Sequence, residues 1–309
     1  MVLVCGVEYE SPTRLVIEAL KNEHADFLVL DQEELAENVQ LRWSLGEKGL
    51  SGMVRVGKEV VDIKDISGVF LRFLDPEDMP AAKEDKSLLT KTKSILFSLY
   101  DLFDILPANI VNRRRTMLSN FSKPYQAQLI RKTGFLIPRT LITNNPVEAK
   151  NFIEKNDGNV IYKSISFERS IVQEVSLDDV NRLNEVCLLP TQFQEKIKGF
   201  NVRVHVVGKN TFATKIKASS VDYRYSHLED SNVELEPYKL PESVANNCIR
   251  LTEDLGLCFS GIDLIIAEKQ VYCLEVNTSP GYSYYELNTG QEISKSLARF
   301  LIGLHKYTI

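Results

Sequence analysis

The feature that most limits how this chain can fold is a pair of acids set within apolar strand sequence. Gly261–Ala267 and Val271–Val276 read as two strands rich in Ile, Leu and Val, and they carry Asp263 and Glu275. Glu275 and Asn277 are two apart, so strand alternation projects both from one face. A three-residue turn at Glu268–Gln270 would set Asp263 directly opposite Glu275. The flanking residues are apolar, and burying unpaired carboxylates is costly, which weighs in favour of a bound ion. Two carboxylates and an amide oxygen in a dry setting suit a hard cation, and Mg²⁺ shared with substrate phosphates is the usual arrangement. The plainer alternative is that these acids end their strands and face solvent.

The rest of the chain supplies an α/β frame. Val2–Cys5, the Ser11-Pro12 helix start and Phe27–Leu30 give a strand–helix–strand order that points to a parallel layer. Short alternating segments follow at Gln40–Leu45, Gly52–Val56 and Glu59–Ile63, with Gly57-Lys58 as a hairpin turn. Val69–Phe73 reads as a strand and Lys86–Phe103 as a long helix ended by Pro107, which places a boundary at Asn109–Asn112. Beyond Pro190 the chain is strand-rich, with helices at Glu242–Leu255 and Ile293–Leu304. Its 309 residues fit two domains or a tightly joined set, and no linker separates the blocks.

Composition excludes several classes. With 37 basic and 42 acidic side chains the net charge is −5, which argues against a nucleic-acid surface. No apolar run approaches a membrane span. The Met-Val-Leu-Val-Cys-Gly start shows no signal peptide, and five scattered cysteines without a CxxC pair read as reduced thiols of a cytoplasmic protein.

Cations line up near the acidic pair. Lys163 ends the strand Val160–Lys163 and Lys123 opens a helix, although each alone is also an ordinary surface lysine. Gln192–Gly199 is a strand entering a glycine turn whose backbone could meet an adenine edge, with Glu195 beside the exocyclic amine. Arg203, then Lys215 and Lys217 on one strand face, then Asp222-Tyr223-Arg224 complete the set. Together they describe a site for a polyphosphate and an anionic substrate.

The order Lys123, Gly134-x-x-x-Pro138, Lys163, Gln194-Glu195-Lys196-Ile197, Arg203-x-x-x-x-Gly208, Asp222-Tyr223-Arg224, Gly261-x-Asp263 and Glu275-x-Asn277 resembles the ATP-grasp ligases. More narrowly, it is similar to the RimK-like group and the microviridin-type (graspetide) peptide maturases. Ile137–Asn144 and Thr191–Ile197 look like the maturases, and Glu275–Gly281 looks like the RimK-like amino-acid ligases. The resemblance implies three blocks: an N-terminal pre-ATP-grasp α/β domain (1–112), a central lid (113–190) and a C-terminal antiparallel-sheet domain with the metal site (191–309). It further implies that Lys123 and Lys163 hold ATP phosphates, that Gln194, Glu195 and Ile197 frame adenine, and that Asn201 meets the ribose. Asp263, Glu275 and Asn277 would bind one or two Mg²⁺, with Mn²⁺ as a substitute. Arg203 and Arg224 would stabilise an acyl phosphate and the tetrahedral intermediate.

The pattern departs from the family in places. The loop Ser164–Ser170 has no glycine, Lys163 to Pro190 is shorter than in the maturases, and Arg224 is followed by Tyr-Ser-His. Arg72, inside an apolar strand, reads equally as a structural ion pair or a substrate contact. Tyr282, with Tyr284 and Tyr285, either lines an acceptor pocket or caps the core. Arg113-Arg114-Arg115 reads as a solvated or anion-facing patch.

The expected activity is ligation of a carboxylate to an amine through an acyl phosphate, releasing ADP and phosphate. The substrate is a small molecule or a peptide. Crosslinking of acidic side chains in a ribosomally made precursor is the alternative, and a non-catalytic nucleotide-binding module is a second. No nucleic acid or membrane partner is expected, and the resemblance implies a homodimer.

Overall fold

The computed structural model describes residues 1–80, 85–164, 172–217, 233–268 and 270–303. The first block contains β1 (Val2–Gly6), α1 (Ser11–Asn22), β2 (Phe27–Asp31), α2 (Leu35–Asn38), β3 (Val39–Gly46), β4 (Gly49–Val56), β5 (Glu59–Asp62), β6 (Gly68–Arg72), α3 (Lys86–Ile105) and β7 (Asn109–Val111). A parallel sheet runs in the order β2-β1-β6-β7, and β3, β4 and β5 form a separate antiparallel meander. The run Val2–Cys5 is apolar throughout because β1 is covered on both faces, as parallel strands usually are. Leu3 and Cys5 pack with Leu99 and Phe103 of α3, while Val2 and Val4 pack with Val16 and Leu20 of α1. Asp85 caps α3 by accepting from the Ser87 and Leu88 amides.

The central block has a 3₁₀ stretch at Arg114–Phe121, then α4 (Lys123–Lys132), β8 (Thr140–Thr143), α5 (Pro146–Lys155), β9 (Val160–Ser164), β10 (Gln173–Glu174), α6 (Leu177–Asn181) and β11 (Thr191–Glu195). Its antiparallel sheet has the order β10-β9-β11-β8. Ala149 and Ile153 of α5 cover one sheet face at Val160 and Phe193.

The last block holds β12 (Phe200–Val207), β13 (Asn210–Lys217), β14 (Glu234–Tyr238), α7 (Glu242–Asp254), β15 (Phe259–Ile266), β16 (Val271–Asn277), α8 (Ser283–Thr289) and α9 (Ile293–Ile302). The antiparallel order is β14-β13-β12-β15-β16. Val202, Val204, Ile262 and Val276 bury one face against Cys248 and Leu251 of α7. Two elements of this last block escape the sequence reading. β14 carries Pro237, which suits an edge strand, and α8 is only two turns long.

The blocks interlock through α9. Leu297, Phe300 and Leu301 pack into the first block beside Val2 and Phe70. Gly68 allows this: a Cβ there would lie 2.3 Å from the Leu301 carbonyl oxygen. Among the described residues no helix is long and apolar enough to cross a membrane.

Candidate functional site

The acidic pair forms where the sequence places it, by a different route. Asp263 faces Glu275 and Gly261 faces Asn277 across β15 and β16. The hairpin, however, closes with Ala267 N–H donating to Gln270 O, and from there Leu264 pairs with Cys273. A bulge at Leu274 restores the register at the acids. Its effect is to split residues that simple alternation would keep together. Cys273 goes to the buried core face, while Glu275 stays on the site face with Asp263. Burial first, then the neighbouring Cys248, Asp263 and Glu275, hold the Cys273 thiol well above its ordinary range, so it stays protonated.

Both acids have cationic partners. Arg203 sits opposite Asp263 on β12, and its Nη1 donates to Asp263 Oδ2 at 2.7 Å. The side chains are 7% and 18% exposed, so the pair is shielded from water. The guanidinium passes over Gly261, where a Cβ would come within 2.3 Å of Nη2. That contact explains the glycine two residues before Asp263. Lys123, the first residue of α4, donates from Nζ to Glu275 Oε2 at 2.6 Å.

Gln126 fixes this helix to the strand. Its amide donates to Val276 O at 2.8 Å and accepts from Val276 N–H at 2.9 Å, and the side chain is buried. The turn after β16 is tied to the first block. Asn112 donates to Thr278 O at 2.8 Å and to Phe259 O, and accepts from the Cys258 and Phe259 amides. Asn277 Oδ1 accepts from Ser279 N–H at 3.2 Å.

The donor set fits Mg²⁺. Two carboxylates and an amide oxygen share one face, and hard oxygens in that number leave room for waters and phosphates. Among the described residues no three His, Cys, Asp or Glu gather into a metal cage.

The nucleotide candidates lie on the central sheet and the start of β12. Lys163 pairs with Gln192 in the ladder, on the same sheet face as Ile161 and Gln194 and away from the core under α5. Gln194 Nε2 donates to Thr140 Oγ1 at 3.0 Å. The Glu195 carboxylate accepts from the Arg139 backbone amide and guanidinium, so what it leaves for a ligand is mainly backbone. Ile197 follows just beyond the end of β11. Asn201 is two residues before Arg203 on β12 and shares its face.

Several expectations change. Lys215 stands opposite Val202, on the core face of the sheet, and alternation puts Lys217 there too, away from Arg203. Both are paired along the edge, Lys215 with Glu236 and Lys217 with Glu234 and Glu236. These pairs brace the β13–β14 edge, on the face away from Arg203. Tyr282 is fully buried and donates to Pro12 O at 2.6 Å, so it caps the core and lines no acceptor pocket. Tyr285, not Tyr282, faces the site, with Arg203 5.9 Å from its ring centre. Arg72 takes the structural role: Nε and Nη2 grip Glu10, and Nη1 reaches Ser279 and Pro280. Arg113 caps α3 by donating to the carbonyls of Phe103, Leu106 and Ala108, while Arg114 stacks on Phe97 and Tyr100. Arg224 and most of the loop after Lys163 lie outside the described residues.

Gln126, Asn112, Glu10 and Ser279 were not found from sequence. Gln126 had one signal, since it follows Lys123 by three and so shares its helix face. The others are single polar residues whose partners are more than 60 positions away.

Comparison with known proteins identifies the family and the fold. A family model described as the RimK-like ATP-grasp domain matches residues 122–301. A probable alpha-L-glutamate ligase of Pasteurella multocida is 24% identical over 192 residues, 60% of this chain and 61% of that protein, so the match spans less than two thirds of the relative. Among solved structures, macrocyclase MdnC bound with precursor peptide MdnA from Microcystis aeruginosa aligns with TM-score 0.77 and 22% identity over 98% of this chain and all of that one. A Chryseobacterium gregarium RiPP-associated ATP-grasp ligase, in complex with ADP and a leader and core peptide, aligns with TM-score 0.79 and 22% identity over 99% and 97%. At these identities the structural likeness is one of fold: an α/β ATP-grasp architecture joining one parallel sheet to antiparallel ones.

Proposed function

The chain belongs to the RimK-like ATP-grasp family, and on that premise we propose that it is an ATP-dependent carboxylate–amine ligase. The observation that carries this reading is the convergence of Asp263, Glu275 and Asn277 on one sheet face with Lys123 and Arg203 as partners. A carboxylate oxygen of the substrate attacks the γ-phosphorus of ATP, and ADP leaves. The amine nitrogen then attacks the acyl carbon, phosphate departs and the amine gives up a proton. Bound Mg²⁺, or Mn²⁺ in its place, would shield phosphate charge. Lys123 and Lys163 hold phosphates; Gln194, Glu195 and Ile197 frame adenine, and Asn201 meets the ribose. Arg203 and Arg224 steady the acyl phosphate and the tetrahedral oxyanion, so positioning and electrostatics supply most of the catalysis. Blocks 1–112, 113–190 and 191–309 are taken as its domains and a homodimer as its assembly.

The test is release of ADP and phosphate that requires Mg²⁺, a carboxylate and an acceptor together. Turnover by Glu275→Gln at the wild-type rate would reject the metal assignment.

A second reading, maturation of a ribosomally made peptide, is supported by likeness over the whole chain to structures that contain precursor peptides. A precursor that loses one water per bond formed, read by mass spectrometry, separates it from small-molecule ligation. Tight ATP binding without turnover across a broad acceptor screen would instead support a non-catalytic nucleotide-binding module.

A further inference from the structure

We propose that Arg72 is a positioning residue for the turn Asn277–Pro280, holding the Asn277 amide oxygen where a metal ion can use it. This rests on the metal site proposed above. Arg72 ends β6 at the crest of the parallel sheet, and its guanidinium serves two clients. Nε and Nη2 donate to the Glu10 carboxylate at 2.8–3.0 Å. That grip fixes the plane of the fork, so Nη1 can point only one way. It points at the turn, with Ser279 O, Ser279 Oγ and Pro280 O at 3.5, 3.4 and 3.3 Å. The same Ser279 donates its backbone N–H to Asn277 Oδ1. Glu10, Arg72, Ser279 and Asn277 therefore form one chain of contacts running from the first block to the proposed metal ligand.

The arrangement differs from an ordinary structural ion pair. A pair whose only task was to join α1 to β6 would need no donor aimed across 207 positions of sequence at two carbonyls. It differs from a substrate contact too, because the Arg72 side chain is only 16% exposed and its nitrogens are engaged. The turn is also held on either side of Arg72. Asn112 holds Thr278 O, and just past the turn the Tyr282 hydroxyl donates to Pro12 O, so two further contacts tie this segment to the first block. The long Nη1 contacts are the adjustable ones among these anchors. Groups that orient a metal ligand from outside the coordination sphere change metal affinity without touching the ion.

The experiment titrates Mn²⁺ by electron paramagnetic resonance in the presence of a non-hydrolysable ATP analogue, with thermal unfolding measured in parallel. Arg72→Met and Arg72→Lys are each expected to weaken Mn²⁺ binding about tenfold. The exchanged pair Glu10→Arg with Arg72→Glu restores the ion pair but turns a carboxylate toward the Ser279 and Pro280 oxygens. It is expected to recover thermal stability without recovering Mn²⁺ affinity. Wild-type Mn²⁺ affinity in either single variant, or recovery of both properties in the exchanged pair, overturns the proposal. Glu275→Gln is the reference: if it binds Mn²⁺ as the wild type does, the metal site itself fails. If it loses Mn²⁺ while the Arg72 variants keep it, only the role of Arg72 fails.

Discussion

Lys123 Nζ lies 2.6 Å from Glu275 Oε2, so a residue proposed to hold phosphate is held by a residue proposed to hold metal. Arg203 and Asp263 repeat the relationship one strand away. On the proposed assignments, each pair sets a phosphate-side cation against a metal-side carboxylate, so metal and nucleotide compete with the pairs for the same groups. Lys123→Met should therefore act in opposite directions on the two ligands. Nucleotide affinity should fall about 10–100-fold, the value of a charge-assisted contact of roughly 1.5–3 kcal/mol. Mn²⁺ alone should bind several-fold tighter, because Glu275 loses its competing cation. Calorimetric titration of each ligand separately checks both signs.

Gly261 makes the second prediction. A methyl group there would stand 2.3 Å from Arg203 Nη2 and 2.7 Å from Pro280 Cβ. Both contacts are too close to keep, and the guanidinium is the softer of the two. Gly261→Ala should cost about 1–3 kcal/mol in urea unfolding, as overpacking usually does. Turnover should fall much further than stability, because Arg203 leaves Asp263 and the reacting centre together.

These two positions show what could be read from sequence and what could not. The acid hairpin was legible because both acids sit in apolar strand sequence, and apolar surroundings make a carboxylate conspicuous. Its register comes from a bulge at Leu274 rather than from a plain three-residue turn, and no local signal marks that bulge. Lys215 and Lys217 misled for a related reason. Strand alternation shows that they share a face, but not which face meets the core, and that was set by Val202 on the next strand. The parallel layer was readable from apolar runs and helix punctuation, whereas the order of strands within each sheet was not. Asn112, Glu10 and Gln126 were not, because each is defined by a backbone or side-chain partner brought near only by folding.

Gln126 is the clasp between α4 and β16, and removing it should affect both stability and ligand binding. Gln126→Ala leaves the Val276 N–H and C=O unpaired in a buried strand. An unsatisfied buried group costs about 1–3 kcal/mol, so a loss of about 2–4 kcal/mol is expected in urea unfolding. With α4 loosened, Lys123 should also bind nucleotide less well, even at a temperature where the variant is fully folded.

His205 predicts a pH dependence of stability with a definite sign. Its ring is fully buried on the Arg203 face of β12, against Tyr285 at 4.9 Å and Phe259 at 6.2 Å. Burial drives its pKa well below the ordinary 6.5, the Arg203 charge adds to this, and the Gly281 backbone opposes it. Near and below pH 6.5 the unfolded chain takes up a proton that the folded chain refuses. The stability from keeping this ring neutral is thus fully present above that pH and declines as pH falls toward the folded value. Between pH 7.5 and pH 5.5 this one group should remove about 1.4 kcal/mol. His205→Phe keeps an aromatic ring among aromatic neighbours and cannot take up the proton. Its unfolding free energy should fall less than that of the wild type over this interval, by that amount, in paired urea titrations. Equal slopes for the two proteins would mean that His205 titrates normally when folded.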